Sequence, residues 1–73
     1  MTEHKLFEAR KIIAGLIRNR RIELKMSQEE LAEKTNLGIT TIKRFEAGKF
    51  WMNLKTLIEI SEALKLKLEF KKI

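Results

Sequence analysis

Only the link Asn36-Leu37-Gly38 separates two short stretches of helical periodicity, and it constrains this chain more than any other feature. Before the link, Ser27 is followed three residues later by Glu30, the spacing of a capping box. The Ser27 hydroxyl accepts from the Glu30 N–H, and the Glu30 carboxylate accepts from the Ser27 N–H. A helix therefore starts at about Gln28, with Leu31 and Ala32 inward. Glu29, Glu30 and Glu33 load its early turns with negative charge that suits the helix dipole. It ends at Thr35-Asn36, because asparagine tolerates the left-handed conformation that closes a helix. After the link, a helix over about Ile39 to Ala47 turns Ile42 and Phe45 inward, and Gly48 terminates it. Thr40, Thr41, Lys43 and Arg44 are left outward, too short or too charged to build a core.

Upstream, Ala9, Ile12, Ile13, Leu16, Ile17 and Leu24 recur at mostly helical spacing and predict a long first helix, Leu6 to Lys25, with one buried stripe. Its other face carries Arg10, Lys11, Arg18, Arg20, Arg21 and Lys25, which serve either as a solvated surface or as phosphate contacts. Downstream, Asn53 suits the N-cap of a fourth helix bearing Leu54, Leu57, Ile58, Ser61 and Leu64. Phe50, Trp51 and Met52 precede it in a loop, where three large apolar residues can cover the end of the core, form a dimer seam, or dock a partner protein.

The period changes at the C-terminus. In LKLKLEFKK, Leu64, Leu66, Leu68 and Phe70 alternate with Lys65, Lys67, Glu69 and Lys71, which predicts a half-buried strand over about 65–71. A lone strand in an otherwise helical chain leaves its N–H and C=O groups unpaired. Two tails crossing a two-fold axis as an antiparallel ribbon satisfy them, with Leu66, Leu68 and Phe70 as the apolar side. A final helical turn or a disordered basic tail are the alternatives.

A domain of 73 residues hides only about 60% of the surface its unfolded chain exposes. With no cysteine there is no disulfide or thiolate metal site to compensate, which favours good helix packing or a partner chain. The lone His4 has no second histidine beside it, so no metal and no cofactor are expected. A formal charge of +6 and a pI near 9.9 point to an anionic partner. The apolar run KIIAGLI is too short to span a bilayer, and MTEHKLFEARK lacks the features of a signal peptide, so a cytoplasmic protein is expected. One isolated histidine and surface carboxylates serve catalysis poorly, and the chain is not expected to be an enzyme.

Two short helices joined by a tight turn with an apolar residue in it describe a helix-turn-helix. MSQEELAEKTNLGITTIKRFEAGK, residues 26 to 49, resembles the helix-turn-helix of the Xre family, the class of the phage Cro and repressor proteins. SQEELA, TIKRFEAG and NLKTLIEISEALKL lie in that family's order and spacing, and the resemblance runs from about Ile13 to Leu66. It implies an all-α fold: a compact four- to five-helix lambda-repressor-like domain over 1–73, helix-turn-helix at 27–48, and a short C-terminal β-strand pairing across a dimer. GLIRNRRIELKMSQEELA and LIEISEALKLKLEF look like the HipB-like antitoxin branch, whose members typically bind their own operator and hold a HipA-like kinase toxin. The chain departs from the family pattern at Asn36, often glycine, at Gly38, often a serine or threonine cap, and at Met52, commonly proline.

The resemblance also assigns residues. It implies that the helix after the link enters the major groove of a double-stranded DNA operator, while the preceding helix lies across the backbone. Ile39, Thr40, Lys43 and Arg44 then become candidates for base edges, with Arg44 matched to a guanine by its planar fork. Ile39 either touches a thymine methyl or packs against the sugar edge. Arg18, Arg21, Gln28, Thr41 and Lys49 are candidates for phosphates, Gln28 also for an outer base. Glu46 would repel phosphates and is expected in a structural pair with an arginine such as Arg21. Together these features predict a homodimeric repressor with paired recognition helices about 34 Å apart. The rivals are a module that neutralises a partner enzyme without reading DNA, and a solitary phage-type regulator.

Overall fold

A computed structural model describes residues 2–49 and 53–73. Four helices form among them: α1 (Glu3–Glu23), α2 (Gln28–Thr35), α3 (Ile39–Glu46) and α4 (Leu54–Ala63). Their starts follow local chemistry. Thr2 Oγ1 accepts from the Lys5 N–H at 3.2 Å, and Asn53 Oδ1 accepts from the Thr56 N–H at 2.9 Å. Ser27 and Glu30 exchange both bonds of the capping box, each 3.0 Å. Gly38 precedes α3 without a side-chain cap.

Three of the ends share one device, in which the residue after the cap turns left-handed and two N–H groups return to the last-turn carbonyls. Gly48 (φ 73°) closes α3 this way, with Gly48 N–H bonded to Phe45 O and Lys49 N–H to Arg44 O. Lys25 (φ 56°) closes α1 and Lys65 (φ 57°) closes α4 with the same pair of bonds. Asn36 (φ 56°) is the left-handed cap of α2.

Ile17, Leu31, Ala32, Ile42, Phe45, Ile60 and Leu64 form one buried cluster, with Ile13, Leu24, Leu37, Leu57 and Leu66 partly buried around it. Leu31, Ile42, Ile60 and Leu64 are fully enclosed, each contributing about 1.5–3 kcal/mol of hydrophobic stabilisation. Two polar groups enter this interior with their needs met: Thr35 donates to Leu31 O and Ser61 to Leu57 O, both at 2.8 Å. α3 packs against α1 and α2, and α4 packs against α2. The second helix of the pair is thereby held from behind by two elements while its outer side stays open.

Two features differ from the sequence reading. The stripe of α1 is wider than the surface its neighbours cover: Ala14 and Ile17 are buried, but Ile12 and Leu16 are 64% and 62% exposed. At the C-terminus, no strand forms among the described residues, and 66–73 carry no regular secondary structure. The alternation is interrupted at its start, because Leu64 caps α4 and Lys65 takes the left-handed turn that ends it. Leu66 belongs to that turn through its N–H bond to Ser61 O, 2.8 Å. Beyond it, no second strand among the described residues offers a ladder.

Candidate nucleic-acid interface

On α3, Thr40, Lys43 and Arg44 are three and four residues apart, so they share one helix face, and all three are exposed. Thr41 beside them is half-buried. Ile39, at the first turn, is partly buried and packs against the core cluster, so much of its side chain serves the fold. Lys49 is exposed directly after the α3 terminus, and Arg18 is exposed on α1. Side chains on this face vary in length and carry donors on a fixed backbone, as reading of base edges requires.

Behind that face lies a paired acid and base. Glu46 Oε2 accepts from Arg21 Nε at 2.7 Å and Glu46 Oε1 from Arg21 Nη2 at 2.9 Å, a bidentate pair linking α1 to α3. Gln28 Nε2 donates to the same Oε1 at 3.1 Å, and Arg21 Nη1 donates to Met26 O at 2.8 Å. The Glu46 side chain is only 4% exposed and that of Arg21 12%. The hydrogen bond to Glu46 holds the Arg21 guanidinium above its ordinary pKa, more than offsetting the effect of burial. A carboxylate that would face phosphates with negative charge is thus enclosed and neutralised.

The expectation of phosphate contacts at Arg21 and Gln28 therefore meets side chains with protein partners already in place. Three guanidinium nitrogens of Arg21 are committed, and the Gln28 amide nitrogen is held at the start of α2. Both brace the angle between α1, α2 and α3. Leu66 is partly buried, while Leu68 and Phe70 are exposed on the tail. Phe50, Trp51 and Met52 lie outside the described residues. Among the described residues, no cluster of histidine and acidic side chains could hold a metal, and no helix is long and apolar enough to cross a membrane.

A family model for helix-turn-helix proteins matches residues 17–71, three quarters of the chain and all of α2, α3 and α4. The chain belongs to the Xre-like helix-turn-helix family. No curated protein matches it. As a helix-turn-helix protein it carries a DNA-binding regulator fold, with α2 and α3 as the two helices of the motif and α3 as the one whose outer face is polar and basic. Residues 3–16 of α1 precede the matched region.

Sequence reasoning did not anticipate one arginine. Arg20 Nε donates to Leu64 O at 3.0 Å, so α1 supplies a partner for a carbonyl that α4 leaves open at its end. No local pattern announces this, because the two residues are 44 apart. The signal for Arg21 was present in part: an enclosed glutamate at the inner end of α3 needs a cation.

Proposed function

We propose that this helix-turn-helix protein is a sequence-specific transcriptional repressor that binds a two-fold operator as a homodimer. The observation that carries the reading is the exposed row Thr40, Lys43 and Arg44, on a helix braced from behind by the Arg21–Glu46 pair. In this reading α3 lies in the major groove, and Arg44 donates two bonds to guanine O6 and N7 while Thr40 and Lys43 meet neighbouring base edges. Ile39 offers its remaining exposed surface to a thymine methyl. Arg18, Thr41 and Lys49 bind phosphates and fix the register, Gln28 approaches the backbone from the start of α2, and Arg21 acts through Glu46. The dimer blocks promoter DNA by occupying it, in the cytoplasm.

The C-terminal tails complete the dimer: Leu68 and Phe70 are exposed and the backbone beyond Leu66 has no ladder among the described residues, so two tails can pair as a ribbon. The similarity of the flanking segments to HipB-like antitoxins extends the proposal to a HipA-like kinase toxin as protein partner. Nuclease footprinting upstream of the protein's own gene tests the DNA reading. The proposal expects one protected two-fold site with half-sites about one helical turn, ~34 Å, apart, lost in Arg44→Ala. Neutralisation of a neighbouring kinase with no footprint at all would instead support the protein-only module.

A further inference from the structure

We propose that the groove between α1, α4 and the tail receives Phe70 of a second copy of this chain. The inference rests on the homodimer proposed above and says where its partner seats. The groove encloses about 390 Å³ and is walled by Ile13, Leu16 and Ile17 of α1, Leu57 of α4, and Leu66 and Leu68. Ile12 stands one turn before Leu16 on α1 and Leu54 one turn before Leu57 on α4, and both are exposed.

Three observations choose a second copy as the occupant. The tail's apolar row is divided: Leu66 and Leu68 wall the groove of their own chain, whereas Phe70, next in the row, is 94% exposed and lies outside it. Each chain therefore has an apolar groove and an apolar knob that do not meet, and a two-fold exchange joins both at once. Charge is complementary as well. Arg20 and Glu23 stand 3.5 Å apart at the groove, and Phe70 is flanked by Glu69 and Lys71, so a tail entering there brings an opposite charge to each. Finally, no residue of α3 lines the groove, so a dimer formed through it leaves both recognition faces open.

The chain has no cysteine, which makes site-specific cross-linking direct. Asn19→Cys goes into one full-length chain and Lys72→Cys into a second that carries a size tag, leaving Phe70, its flanking charges, the Arg20–Glu23 pair and the apolar groove walls intact. The two are mixed and treated with a short bismaleimide, and the wild-type protein is sedimented in parallel. The proposal expects a dimer in sedimentation and a strong cross-link between the two different chains. Phe70→Ala in the Lys72→Cys chain should remove that cross-link, and Phe70→Ala alone should weaken self-association about tenfold or more, as truncation of a buried aromatic anchor does. A wild-type dimer without the mixed cross-link overturns the seating and leaves the dimer standing. A wild-type monomer at concentrations that saturate operator DNA overturns both.

Discussion

Arg21 and Glu46 meet through two parallel N–H···O bonds of 2.7 and 2.9 Å, almost out of contact with solvent, and thereby join the first helix to the end of the third. A bidentate pair fixes direction as well as distance. Since Gln28 donates to the same carboxylate, one acidic side chain sets the relation of three helices.

Glu46→Ala should be severe. It leaves the Arg21 guanidinium enclosed without a carboxylate, a loss worth about 3 kcal/mol when one partner of a buried pair is removed. Arg21→Met with Glu46→Leu together should recover most of that loss, because an apolar pair of similar volume carries no charge to desolvate. Urea denaturation of the three variants measures this. A Glu46→Ala midpoint equal to wild type would show that the pair does not hold α3.

The capping box makes a prediction with a sign. Ser27 bonds hold the Glu30 carboxyl below its ordinary pKa of 4.5. A group whose folded-state pKa is depressed stabilises above its unfolded value and loses that contribution as pH falls through the folded value. The stability advantage of wild type over Glu30→Gln should therefore be flat from neutral pH to about 5 and close at lower pH, as followed by thermal melts across a pH series. Ser27→Ala should cost about 1 kcal/mol at pH 7.

Two glycines should respond in opposite directions. Gly48 has φ 73°, and an added Cβ would stand 3.3 Å from Lys11 Cγ. Gly48→Ala should destabilise by about 1–2 kcal/mol, the cost of a left-handed non-glycine residue. Gly38 has φ −69° and open space where a side chain would go. Gly38→Ser can therefore cap α3 without strain and should add a few tenths of a kcal/mol, about 0.3. Chemical denaturation of both variants checks the pair.

Arg44→Ala should leave the four-helix fold intact, since the residue is exposed on the outer face of α3 and lies outside the buried cluster. Its operator affinity should fall by about 1–3 kcal/mol, with relaxed discrimination at one base pair, if its fork reads a guanine. Lys49→Ala should instead weaken all sequences alike and reduce the salt slope by about one unit. Competition binding against single-base operator variants separates the two.

The parts of the molecule that local chemistry determines could be read from the residues. Ser27 with Glu30 fixed the start of α2, Asn36 its end, and Ile42 with Phe45 the inner side of α3. Legibility failed where the outcome depended on what lies opposite. Ile12 and Leu16 fit the periodicity of a buried stripe, yet α2, α3 and α4 together cover only part of it. The alternation from Leu64 onward fits a strand, but the left-handed turn at Lys65 and the lack of a ladder partner among the described residues prevail. Arg21 could be paired with Glu46 on charge grounds, whereas the Arg20 bond to Leu64 needed the folded arrangement.

The central claim is that α3 reads sequence. Fluorescence anisotropy of the purified protein with its own upstream DNA, and with scrambled DNA of equal length, tests it across a salt series. The account predicts a preference on the order of a thousandfold or more, with affinity falling by several log units per log unit of salt. Equal, weak and salt-fragile binding to both DNAs would contradict it, leaving a basic surface without a reader.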